Sequence, residues 1–196
     1  MRTGPGRCGT VSQYDDTTCG PTTILAARAW VDPIYAFDLT TDGRPGGEEE
    51  SGSRFRHRLR VEEQSIHDQT DVLWPQTAGT PPWGLTEILN RQPGGLGVRY
   101  RWIAVARTLP ALADAVLRRS LAAAEQGYPV PMLIGDLIPR HYVLLVGHDP
   151  EGAVFYEPSA GELVRVPAAE VERQDFSRLG FRHLHGAILP GGPVTG

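Results

Sequence analysis

At 196 residues the chain suits a single domain, 1–196, and is long enough to bury a proper core. A hydrophobic content of 40% fits a globular protein, and a formal charge of −4 gives no reason to expect nucleic acid or an anionic membrane as partner. All 19 basic residues are Arg, and the absence of Lys excludes Schiff-base chemistry and a Ser–Lys dyad.

The opening residues, Met1 to Arg7, lead straight into polar sequence with no apolar h-region. No apolar stretch approaches the roughly 20 residues that span a bilayer, so a soluble cytoplasmic protein is expected. Two cysteines, Cys8 and Cys19, make neither a disulfide framework nor a zinc knuckle. A bridge between them would not persist in a reducing compartment. No Cys/His spacing matches a zinc site, and neither a metal nor a cofactor is expected.

Thr17-Thr18 precede Cys19-Gly20-Pro21 and a Leu/Ala-rich run. Thr suits an N-cap and Pro the first helical turn, so a helix is predicted from about 20 to 31 with Cys19 at its N-terminal end. Asp32-Pro33 is expected to stop it. Residues 38–82 change character: 42–53 are poor in apolar residues and rich in loop formers. This polar insertion, with one short helix around 59–67, reads as a surface loop, a lid or a surface for a protein partner.

Order returns with a short amphipathic helix over 83–90, an alternating strand over 98–105 and a helix over 109–126 that ends at Gly127. Short β-branched or aromatic segments follow at 130–135, 141–147, 153–157, 163–166 and 186–189. Gly, Pro and Asp turns separate them, which predicts an antiparallel sheet. A helical first half and a strand-rich second half make an α+β domain.

The reactive form of cysteine is the thiolate, and a helix N-terminus favours negative charge, so Cys19 is placed as a nucleophile. Gln13, six residues upstream, can donate to the oxyanion of an acyl transfer beside the Cys19 backbone N–H. Of six histidines, His57 and His67 fall in the polar region, His183 and His185 flank the last strand, and His148 lies in a turn. His141 stands at the mouth of Tyr142–Gly147, whose two faces are both apolar, as in a central buried strand. His141 is therefore the candidate base.

An imidazole base needs an orienting partner. Asn90, the only Asn, precedes the histidine, so a Cys–His–Asn order is unavailable. Glu157 ends the next strand. In a hairpin whose paired numbers sum to 298 or 300 it shares a face with His141, directly opposite or one diagonal step away, within roughly 8 Å between Cα atoms. An odd-sum register turns it away. Asp149 and Asp136 are weaker candidates because both look like turn residues.

Gln13 to Thr23 with its Cys-Gly-Pro, then His141 to Asp149, then Tyr156-Glu157-Pro158-Ser159, resemble the C39-like branch of the papain-like cysteine peptidases over the first 33 residues and about 83–189. The resemblance implies a papain-like fold, with the nucleophile's helix packed on the sheet. It implies Cys19 as nucleophile, His141 as general base, Gln13 as oxyanion donor and Glu157 as orienting acid. That family usually carries Asp at the last position. Glu is one methylene longer, so the backbone is set further back or the acid is not engaged. The expected activity is a cysteine peptidase or amidase acting on a peptide or amide through an acyl-enzyme. The alternatives are an acyl or amine transferase on the same residues, or an inactive domain that uses the cleft for binding.

Overall fold

A computed structural model describes residues 19–41, 57–65, 80–91, 98–106 and 108–193. Two helices open the described chain, α1 (Cys19–Val31) and α2 (Pro33–Thr41). Asp32-Pro33 breaks the helix for a single residue and then starts another. The Asp32 carboxylate accepts from the backbone N–H groups of Ile34 and Tyr35, both at 3.0 Å, and so caps α2. The expected stop is therefore a corner.

A helix over 57–65 (α3) and α4 (Pro82–Arg91) follow, and then the sheet. Its strands are β1 (Val98–Ala104), β2 (Val130–Gly135), β3 (Pro139–Asp149), β4 (Gly152–Glu157), β5 (Glu162–Pro167) and β6 (His183–Pro193). Helix α5 (Pro110–Glu125) links β1 to β2, while α6 (Ala168–Glu172) and a 3-10 turn at Ser177–Leu179 link β5 to β6. Strand order is β1-β6-β2-β3-β4-β5, with every neighbouring pair antiparallel. The fold is α+β.

Side chains alternate across this sheet, and each face builds its own core. Val143 and Leu145 of β3 join Met132, Phe155, Leu189 and α5 on one face. Tyr142, Leu144 and Val146 join Ile188 and the helices of the N-terminal half on the other. The predicted two-sided burial of β3 follows from its interior place in the sheet.

The second core also takes residues from the segment expected to be a surface insertion. Leu59 of α3 is 4% exposed and Glu63 1%. The Thr22 hydroxyl of α1 donates to the Glu63 carboxylate, and Arg58 donates to the Leu39 carbonyl at 3.1 Å. Burying a carboxylate demands such partners, so α3 is fixed against the helix that begins with Cys19. Residues 42–56 and 66–79 lie outside the described structure. Leu59→Ala is expected to cost about 2–5 kcal/mol in urea unfolding, the range for a fully packed leucine. A loss below about 0.5 kcal/mol would mark α3 as a surface appendage.

Candidate active site

Cys19 is the first residue of α1, at the helix end whose leading N–H groups have no partner inside the helix. Gly20 follows it where space is tight: a Cβ there would meet Leu85 Cδ1 at 3.0 Å and the Thr80 Cβ at 3.1 Å. Thr23, one turn on, donates its hydroxyl to the Cys19 carbonyl at 2.7 Å and lies 3.5 Å from the carbonyl of Tyr142. A single side chain thus joins the first turn of α1 to the residue after His141.

Cys19 lies close enough to the His141 ring that its thiol and its charge act to hold the imidazole protonated. One ring nitrogen is occupied: Nε2 lies 2.6 Å from the Glu157 carboxylate, which leaves Nδ1 as the nitrogen available for proton exchange. All three side chains are largely out of water. Cys19 is 4% exposed and His141 8%.

The register of the β3–β4 hairpin explains how Glu157 reaches the ring. Next to the turn the paired numbers sum to 301, as in His148 with Ala153, which is the odd register that would turn Glu157 away. A register shift at Val146 changes the sum to 300, as in Leu144 with Tyr156. Continued one step, that register sets Glu157 beside Val143 and makes His141 its diagonal neighbour on the same face. The β-bulge at Val146 therefore restores the shared face, and the extra methylene of Glu covers the diagonal. The carboxylate is held from behind by the backbone N–H groups of Ser159 at 3.1 Å and Ala160 at 2.7 Å.

These contacts set the charges. Burial pulls the His141 pKa down, but hydrogen bonds to Cys19 and Glu157, with their charges, win and raise it to about 9. Burial pushes Glu157 up, and its bonds from His141, Ala160 and Ser159 bring it down to about 2. Burial, and secondarily the charge of Cys19, raise the Tyr142 hydroxyl well above the usual phenol range. That hydroxyl donates to the Thr80 carbonyl at 3.3 Å.

The remaining candidates are elsewhere. Gln13, Cys8 and His67 lie outside the described residues. His57 is exposed at the start of α3. His148 is not in a free turn: it ends β3, with Nδ1 2.6 Å from the Glu125 carboxylate, because β3 extends to Asp149. His183 and His185 lie within β6 rather than beside it. Asp149 accepts from Glu151 and Gly152 N–H groups in the turn and pairs with Arg165, while Asp136 accepts from the Arg182 N–H. Asn90 clamps β1 to α4, accepting from the Tyr100 N–H at 2.7 Å and donating to its carbonyl at 2.9 Å. The sequence reading missed Thr23 and Phe181, whose ring centroid lies 5.8 Å from that of His141. Thr23 sits one helical turn from Cys19, the spacing at which a hydroxyl back-bonds to a carbonyl, and that signal was available.

A groove of about 410 Å³ between α5 and the β1–β6 edge is lined by Arg119, Gln126 and Tyr128, and none of Cys19, His141 or Glu157 lines it. Among the described residues no three His, Cys, Asp or Glu side chains gather as a metal site would require. No described helix is long and apolar enough to cross a membrane. No family model matches the chain, and no curated protein matches it.

Glu157→Gln removes the charge that helps keep the imidazole protonated. The His141 midpoint, followed by histidine NMR, is expected to fall from about 9 toward the ordinary 6.5. The stability lent by the pair has a definite window. His141, raised, contributes fully below pH 6.5 and loses its share as pH rises through about 9; Glu157, lowered, contributes fully above pH 4.5 and loses its share as pH falls through about 2. The gap in thermal stability between the native chain and Glu157→Gln should therefore be widest between pH 4.5 and 6.5. A gap that grows above pH 9 would contradict this assignment.

Proposed function

We propose that the protein is a cysteine-dependent hydrolase, a peptidase or amidase of papain-like, C39-like type. The observation that carries this reading is the set Cys19, His141 and Glu157: the carboxylate is bonded to the imidazole, and the cysteine, at a helix N-terminus, lies close enough to shift the ring's pKa. His141 takes the thiol proton, and the thiolate sulfur attacks the carbonyl carbon of a peptide or amide. The Cys19 backbone N–H and, by the resemblance, the Gln13 amide donate to the oxyanion. The C–N bond breaks as His141 returns its proton to the leaving amine. Water, deprotonated by the same imidazole, then releases the acid and restores the thiol. Glu157 holds the ring so that Nδ1 faces sulfur and stabilises the imidazolium.

The reading of an inactive binding domain rested on Glu in place of Asp and on the acidic insertion, and the bonded Glu157 speaks against the first of these grounds. A second reading, acyl transfer to an amine, is favoured by the burial of Cys19 and His141, because excluding water slows the hydrolytic step. Both readings share the acyl-enzyme.

Mixing the protein with p-nitrophenyl acetate should give a burst of nitrophenolate and an acetyl adduct on Cys19 by intact mass. Cys19→Ser should abolish the thioester. His141→Ala should slow acylation by about 10²- to 10⁴-fold, the usual contribution of a positioned base. An adduct that forms equally fast without the imidazole would remove the support for this function.

A further inference from the structure

The β2–β3 hairpin that leads into His141 has an unusual tip. Asp136, Leu137 and Ile138 make the turn, and Gly135 lies against it so closely that a Cβ would meet the Ile138 carbonyl oxygen at 2.1 Å. Turns of this kind are ordinarily built from polar residues or glycine. Here Leu137 is 81% exposed and Ile138 54%. The tip does not stand alone. The Asp136 carboxylate accepts from the Arg182 N–H at 3.3 Å, tying the turn to the segment that carries Phe181, and Phe181 packs against the His141 ring. Three apolar side chains thus belong to two tied segments, one touching the imidazole and the other leading to it through Pro139 and Arg140.

Resting on the acyl-enzyme reading above, we propose that Leu137, Ile138 and Phe181 form a binding site for the amine half of the reaction, selecting amines that carry an aliphatic or aromatic side chain, such as the amino end of an apolar peptide segment. The direction follows from the proton. His141 must hand it to the leaving nitrogen within hydrogen-bond reach, so that nitrogen and the atoms attached to it lie on the imidazole side. The acyl half lies over Cys19 and the end of α1. Ile138 precedes His141 by three residues, about 10 Å of extended chain, which is the span of about three residues of an extended amine-side peptide. An exposed aliphatic pair at that distance gains by being covered when such a segment binds.

In the reverse direction the same site receives an acceptor. The amine nitrogen attacks the thioester carbonyl, His141 takes its proton, the C–S bond breaks and the restored thiolate is reprotonated. The amine site is therefore measurable with any acyl donor. Acetyl-Cys19, formed from p-nitrophenyl acetate, is allowed to partition between water and the amides of diglycyl-leucine, diglycyl-phenylalanine, triglycine or diglycyl-aspartic acid, whose third side chain reaches the hairpin tip. The diglycyl-leucine and diglycyl-phenylalanine amides should intercept the acetyl group at concentrations about tenfold or more below triglycine amide, the difference that covering one apolar side chain supplies. In Leu137→Asp/Ile138→Asp the ratio of the diglycyl-leucine amide to the triglycine amide should fall close to one. This ratio is independent of how much active protein is present. A flat ranking in the native chain, or an unchanged ratio in the double variant, overturns the proposal while the burst stands. Absence of any Cys19-dependent burst overturns the acyl-enzyme reading and the proposal together.

Discussion

The rest of the site depends on holding the first turn of α1 against the start of β3. A thiol and an imidazole more than a hundred residues apart in sequence share a proton only if two elements are locked in register to within a fraction of an ångström. Packing alone gives α1 a place on one face of the sheet. The Thr23 hydroxyl, poised between the Cys19 and Tyr142 carbonyls, fixes its axial position at the level of the reacting groups. Gly20, pressed by Thr80 and Leu85, sets how closely the same turn approaches α4 and its leading residues. The candidate chemistry thus sits on a helix end and two strand ends, all rigid elements.

The buried charges form a second layer of constraint. Isolated, an imidazolium or carboxylate at this depth would neutralise itself. Together they stay charged, because Glu157 also accepts two backbone N–H groups from the turn that follows it. The turn after β4 is therefore part of the site, through its backbone. A carboxylate fixed from behind by backbone, and bonded in front to the imidazole, gives the proton acceptor a preorganised partner.

The α+β class, the antiparallel strands, the central place of β3 and the helix beginning at Cys19 were all readable from hydrophobic period and turn residues. So was His141, because a histidine before a two-sided apolar run has few other places to be. Glu157 was only half legible: the sequence left even-sum and odd-sum registers open, and the register shift at Val146 decides between them through backbone geometry that leaves no mark in residue type. The corner at Asp32-Pro33 was read as an end because Pro both stops one helix and starts the next. Residues 57–65 were read as surface because charge alternates there with single apolar side chains. Nothing local announces that Leu59 and Glu63 turn inward toward Thr22, since the partner that makes a buried Glu tolerable lies forty-one residues away.

The central claim is that His141 makes the Cys19 sulfur a nucleophile. The most direct measurement is the rate of iodoacetamide alkylation at each cysteine at pH 7, resolved by peptide mass spectrometry, in the native chain and in His141→Ala. Cys19 is expected to react at least about tenfold faster than Cys8 in the native chain, and to lose that advantage when the imidazole is removed. Equal, slow alkylation of the two thiols, or a Cys19 rate indifferent to His141, would contradict the account.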